Sequence, residues 1–68
     1  MKMNIFINKI KTNTLKKISV ELLLENLGIE NKFIAIEVNE AIIPKSNYGN
    51  YYLKENDKVE IIITFFLK

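Results

Sequence analysis

Phe33-Ile34-Ala35-Ile36-Glu37-Val38-Asn39-Glu40-Ala41-Ile42-Ile43-Pro44 reads as two strands and the turn between them. Side chains alternate across a strand, so Phe33, Ala35 and Glu37 share one face while Ile34, Ile36 and Val38 share the other. Asn39-Glu40 separates this run from Ala41-Ile42-Ile43 and predicts a tight hairpin, because Asn tolerates positive φ at a turn. Glu enters that region less readily, which favours a turn type that spares Glu40 from it. Pro44 stops the second strand, since its nitrogen has no hydrogen to give the ladder.

Moving toward the C-terminus, Lys45 through Asn50 reads as a loop. Tyr51-Tyr52-Leu53 is a short edge segment or helical turn, and Glu55-Asn56-Asp57-Lys58 is a turn. Val59 to Phe66 is the longest strand. It puts Val59, Ile61, Ile63 and Phe65 on one side, and Glu60, Ile62, Thr64 and Phe66 on the other. So apolar a strand belongs inside a sheet and not at its edge.

Toward the N-terminus, Met3, Ile5 and Ile7 alternate with Asn4, Phe6 and Asn8, which predicts a strand with one buried face. Asn8-Lys9-Ile10-Lys11 is expected to turn the chain, and Thr12 to Leu15 to return it as a second strand. Between the two halves, Val20, Leu23, Leu24 and Leu27 form the i, i+3, i+4, i+7 stripe of an amphipathic helix. Ser19 is its N-cap, and Gly28 can take the left-handed conformation that ends it. The resulting order, β-β-α-β-β-β, predicts an α+β domain in which one helix covers one face of a mixed sheet and leaves the other face partly open. That is the order of a β-grasp, the ubiquitin-like roll.

At 68 residues, 49% of them hydrophobic, the chain holds one domain, 1–68, with a single core. Cys, His, Trp and Arg are absent. Disulfides, thiolate nucleophiles and imidazole ligands are therefore excluded, and with them the usual general base near neutral pH. With Gly only at Gly28 and Gly49, no Gly-rich phosphate loop exists. No metal site or cofactor is expected, and the chain reads as a non-enzyme. Glu55, Asp57 and Glu60 sit in and beside a polar turn where nothing would separate their pKa values for acid–base work. A net charge of +2, carried entirely by Lys, is too small and too poor in bidentate donors for nucleic acid. Apolar runs fall far short of the roughly 18 residues of a membrane span. No membrane association is expected, and a cytoplasmic location is.

From Phe33 onward the sequence resembles a known family. Ala35-Ile36-Glu37-Val38-Asn39, then Ile43-Pro44-Lys45-Ser46, then Leu53-Lys54-Glu55-Asn56-Asp57-Lys58-Val59-Glu60-Ile61-Ile62 is similar to ThiS, the sulfur carrier of thiamine thiazole biosynthesis. That family reads A-V-E-x-N-G-x-I-V-P-R-S, then L-x-x-G-D-x-V-E-I-V. The first thirty residues match in pattern only, and a looser resemblance extends to molybdopterin-type carriers. Glu40 and Asn56 stand where the family prefers Gly.

The resemblance implies a protein substrate acting through its C-terminus. In the family a terminal Gly-Gly carboxylate is adenylated by a ThiF-like, ubiquitin-activating-type enzyme, converted to a thiocarboxylate, and used by thiazole synthase. Here Leu67-Lys68 stands at the Gly-Gly position, and a branched side chain beside an ammonium opposes threading of a narrow channel. The alternative expectation is a non-catalytic β-grasp interaction module or a self-associating domain. Its candidate partner surface is Ile62 and Phe66 on the outward face of the last strand, with Tyr48 nearby. Otherwise the tyrosines serve to cover the core.

Overall fold

The computed structural model describes residues 1–64. Strands β1 (Lys2–Ile7) and β2 (Ile10–Leu15) form a first hairpin. Helix α1 (Val20–Leu27), β3 (Ile34–Val38), β4 (Ala41–Ile43), a 3₁₀ turn at Lys45–Asn47 and β5 (Lys58–Ile63) follow. One five-stranded sheet results, in the order β2-β1-β5-β3-β4. β5 runs parallel to β1 and antiparallel to β3, so the apolar last strand is the middle one, as its composition predicted. Its ladder starts at Lys58, one residue earlier than expected, while Phe65 and Phe66 lie outside the described residues.

Both hairpin turns are tighter or stranger than the sequence suggested. Asn8 and Lys9 alone reverse the first hairpin, at φ 48° and 72°, so that Ile10 already pairs with Ile7. Positive φ at both central residues is the I′ geometry, whose twist matches that of the flanking strands. Asn39 and Glu40 adopt it too, at φ 52° and 73°, which corrects the expectation of another turn type at Glu40.

The reason lies outside the turn, in the loop before β5. Asn39 Nδ2 donates to Asp57 Oδ1 at 3.0 Å, and Asn39 Oδ1 accepts the Lys58 N–H at 2.9 Å. The Asn39 N–H donates to the Lys58 carbonyl at 2.8 Å, and Asp57 Oδ2 accepts the Lys54 N–H at 2.8 Å. Each such bond contributes about 1 kcal/mol net, enough together to offset the roughly 1–2 kcal/mol cost of a left-handed non-Gly residue. Asn56, at φ 68°, takes the conformation that suits the family's Gly, which Asn does more readily than other side chains.

The helix is capped at both ends. Ser19 Oγ accepts the Leu22 N–H at 3.1 Å, as its N-cap position predicted. Two further orphan donors find carbonyls of the loop before β5: Val20 N–H bonds Tyr51 O and Glu21 N–H bonds Tyr48 O, both at 3.0 Å. At the other end Gly28, at φ 72°, and Ile29 send their N–H groups to Glu25 and Leu24 in a Schellman arrangement.

The core lies between α1 and one sheet face. Val20, Leu23 and Leu24 from the helix meet Met3, Ile5, Ile34, Ile36, Val38 and Val59 from the strands. Burying an aliphatic side chain fully is worth about 1.5–3 kcal/mol. Leu27, the last position of the predicted stripe, remains 43% exposed.

Candidate functional site

Register decides which side chains share the sheet face turned away from α1, because directly opposed residues project to the same side. Ile62 stands opposite Ala35, and Glu60 opposite Glu37. Ile42 also stands opposite Glu37, from the other flank, and Phe6 aligns with Lys58. Phe6, Glu37, Glu60 and Ile62 are half-buried, and Ile42 is 60% exposed. A shallow depression of about 590 Å³ occupies this face, lined by Phe6, Lys9, Glu37, Glu40, Lys58 and Glu60.

The face therefore offers apolar contact around an acidic pair. Opposed carboxylates cost roughly 0.2–1 kcal/mol relative to neutral pairs. Both stand at Glu positions of the family pattern quoted above. Lys9, Lys58 and Glu40 line the same depression, so the pair stands in a mixed-charge surface. The arrangement suits contact with a surface that is apolar and charged together.

Ile62 is on this open face, where the alternation put it. Tyr48 is not. It is 2% exposed and belongs to the core cluster, which corrects its assignment to a surface patch with Ile62. After Pro44 the 3₁₀ turn swings the chain inward, closing with the Tyr48 N–H on the Lys45 carbonyl at 3.1 Å. Tyr48 then packs at the N-terminal end of α1. Burial pushes its phenol above the ordinary value, against the opposing effect of a hydrogen bond with the Ile36 backbone. Of the other tyrosines, Tyr51 is half-buried and Tyr52 is 56% exposed. Phe66, Leu67 and Lys68 lie outside the described residues.

Phe6 and Ile42 complete the open face and were not singled out from the sequence. Alternation gives faces within one strand but cannot align separate strands. Only the observed register joins Phe6 of β1 to Lys58 of β5. The exit of β5 is also held by a device that sequence does not announce. Asn8 Oδ1 accepts the Ile61 N–H at 2.7 Å, and its Nδ2 donates to the Ile61 carbonyl at 3.4 Å. The side chain thus continues the β1–β5 ladder past the point where β1 turns away.

Comparison with known proteins agrees with this geometry. The sequence model of the ThiS family matches residues 5–65. A thiazole synthase from Paramagnetospirillum magneticum is 37% identical over 60 residues, 88% of this chain. The chain spans only 18% of that protein's length. Two uncharacterized ycf40 proteins align over 87% of this chain and 83% of their own length. The one from Pyropia yezoensis is 34% identical and the one from Porphyra purpurea 36%. The crystal structure of the thiamine biosynthesis protein ThiS from Geobacter metallireducens superposes with a TM-score of 0.84. It is 20% identical, with 93% of this chain and 96% of that one covered, and it establishes the β-grasp fold. The chain belongs to the ThiS family, the β-grasp sulfur carriers of thiamine biosynthesis.

Proposed function

We propose that this chain works as a protein substrate and not as a catalyst, carrying sulfur on its C-terminal carboxylate between an adenylating ThiF-like enzyme and a thiazole synthase. The observation that carries the reading is the family match over residues 5–65, which takes in all but the first four of the described residues. The likeness of most of this chain to a segment of a thiazole synthase supports that enzyme as the sulfur's recipient. The open face, with Phe6, Ile62 and the Glu37–Glu60 pair, supplies the docking surface. A cationic group on the partner relieves the carboxylate pair, and the apolar side chains provide the buried contact. The reading includes a cytoplasmic site of action, where ATP for adenylation is available.

The chemistry is acyl activation. A carboxylate oxygen attacks the α-phosphorus of ATP and releases pyrophosphate. A hydrosulfide-level nucleophile then displaces AMP, leaving the thiocarboxylate. Leu67-Lys68 stands at the family's Gly-Gly position, and its side chains oppose entry to a channel shaped for glycine.

Reconstitution with a ThiF-like enzyme, ATP and a sulfide source tests the reading. The wild-type chain is expected to form thiocarboxylate slowly, and the L67G/K68G double variant about tenfold faster or more, as one 1.4 kcal/mol barrier step gives. Absence of adenylate from both chains removes the carrier role. Thiocarboxylate on the double variant alone leaves the wild type as a non-covalent interaction module that docks through the same open face.

A further inference from the structure

The two hairpin turns share one departure from turn chemistry. Each opens on an asparagine, Asn8 or Asn39, which suits the first position of an I′ turn. Each then places a charged residue where glycine is preferred. Lys9 stands at φ 72° and Glu40 at φ 73°, in the left-handed region where a Cβ crowds the backbone. Glycine would hold either turn at lower cost. Among the described residues neither charged group has a hydrogen bond or an ion pair that would offset this strain.

The topology brings both side chains to one surface. Val59 of β5 is in register with Ile7 on one flank and with Val38 on the other, and the turns directly follow Ile7 and Val38. One turn therefore stands on each side of β5, about 10 Å apart across two strand spacings. Lys9 and Glu40 are exposed and line the same depression on the open face. Opposite charges thus mark its two flanks.

We propose that Lys9 and Glu40 are the specificity-determining pair of the open face, fixing the orientation in which the adenylating enzyme docks. Apolar contact over Phe6 and Ile62 is non-directional. The charges add a direction: the partner they fit presents a carboxylate opposite Lys9 and a cation opposite Glu40. Turned end for end, the same partner would meet two like charges, which penalises the wrong orientation. The proposal deepens the carrier reading above and rests on it. The strain at the two turns then serves recognition and not the fold.

Calorimetric titration of the full chain with the adenylating enzyme, without ATP, tests the pair in four chains: wild type, K9G, E40G and the swap K9E/E40K. Each glycine variant is expected to raise the urea midpoint of unfolding and yet to bind about threefold more weakly. A purely structural role would not move stability and affinity in opposite directions. The swap keeps the net charge and a side chain at both left-handed positions. It should bind about tenfold more weakly or worse, and the gap should narrow in roughly 0.5 M salt. Affinity equal across the four chains, or absent from all of them, would overturn the proposal. Glycine variants that lose stability together with affinity would return both residues to a structural role and overturn it too. Pyrophosphate release on adding ATP reads the carrier role separately. Swap-sensitive binding without adenylate leaves the pair and removes carriage, whereas adenylate with swap-insensitive binding removes the pair alone.

Discussion

Ile36 and Glu37 are neighbours on β3, yet they stand in opposite regimes. Ile36 is 1% exposed beneath the helix, against Ile61 in register on β5. Glu37 points to the open face, directly opposite another glutamate. The covered face carries aliphatic side chains packed for stability. The open face keeps Phe6 and Ile62 half exposed around a carboxylate pair, an arrangement that works against stability. On the proposed reading, a partner docked on that face would complete it. The difference separates positions that make the fold from positions that use it.

Substitutions can break or sharpen that contrast. The largest effect is expected on the covered side. Ile36→Ala leaves a cavity in the sheet's centre and should lower unfolding free energy by about 2–5 kcal/mol in urea titrations, which in a domain this small leaves much of the chain unfolded. A loss under 1 kcal/mol would mean that the core is looser than its burial indicates.

Asn39→Ala comes next. It strips Asp57 Oδ1 and the Lys58 N–H of their side-chain partner and puts Ala at a left-handed position. A loss of about 1–3 kcal/mol is expected, with the amides of residues 54–58 exchanging faster with solvent than those of β1. Equal acceleration everywhere would show that the turn and the loop are not a local latch.

Smallest, and opposite in sign, is Glu60→Gln on the open face. Removing one charge of the opposed pair should raise stability by roughly 0.2–1 kcal/mol in the same titration. The variant should also bind the adenylating enzyme more weakly. Stabilisation without weaker binding would detach the acidic pair from docking.

Much of this architecture was legible in the chain. Ser19, Gly28 and the Val20-Leu23-Leu24 stripe marked the helix because capping and periodicity are local. The apolar Val59-to-Phe66 run announced a central strand for the same reason. Glu40 misled because its positive φ is imposed by Asn39 and Asp57, and Asp57 lies 17 residues further along the chain. Tyr48 misled because polar neighbours such as Asn47 and Asn50 make its segment look exposed. The 3₁₀ turn and the bond from Glu21 N–H to its carbonyl carry it into the core. On the open face, Ile62 was legible from alternation alone. Phe6, Ile42 and the Glu37–Glu60 pair required a register that no single strand encodes.

The central claim is that this chain carries sulfur, and the intact mass of the protein from its native cells tests it most directly. The account predicts a species heavier by about 16 Da than the unmodified chain, the exchange of one carboxylate oxygen for sulfur. That species should disappear on treatment with an alkylating agent that captures thiocarboxylates. A chain found only at its unmodified mass, in cells actively making thiamine and with its product-forming step blocked, would contradict the account.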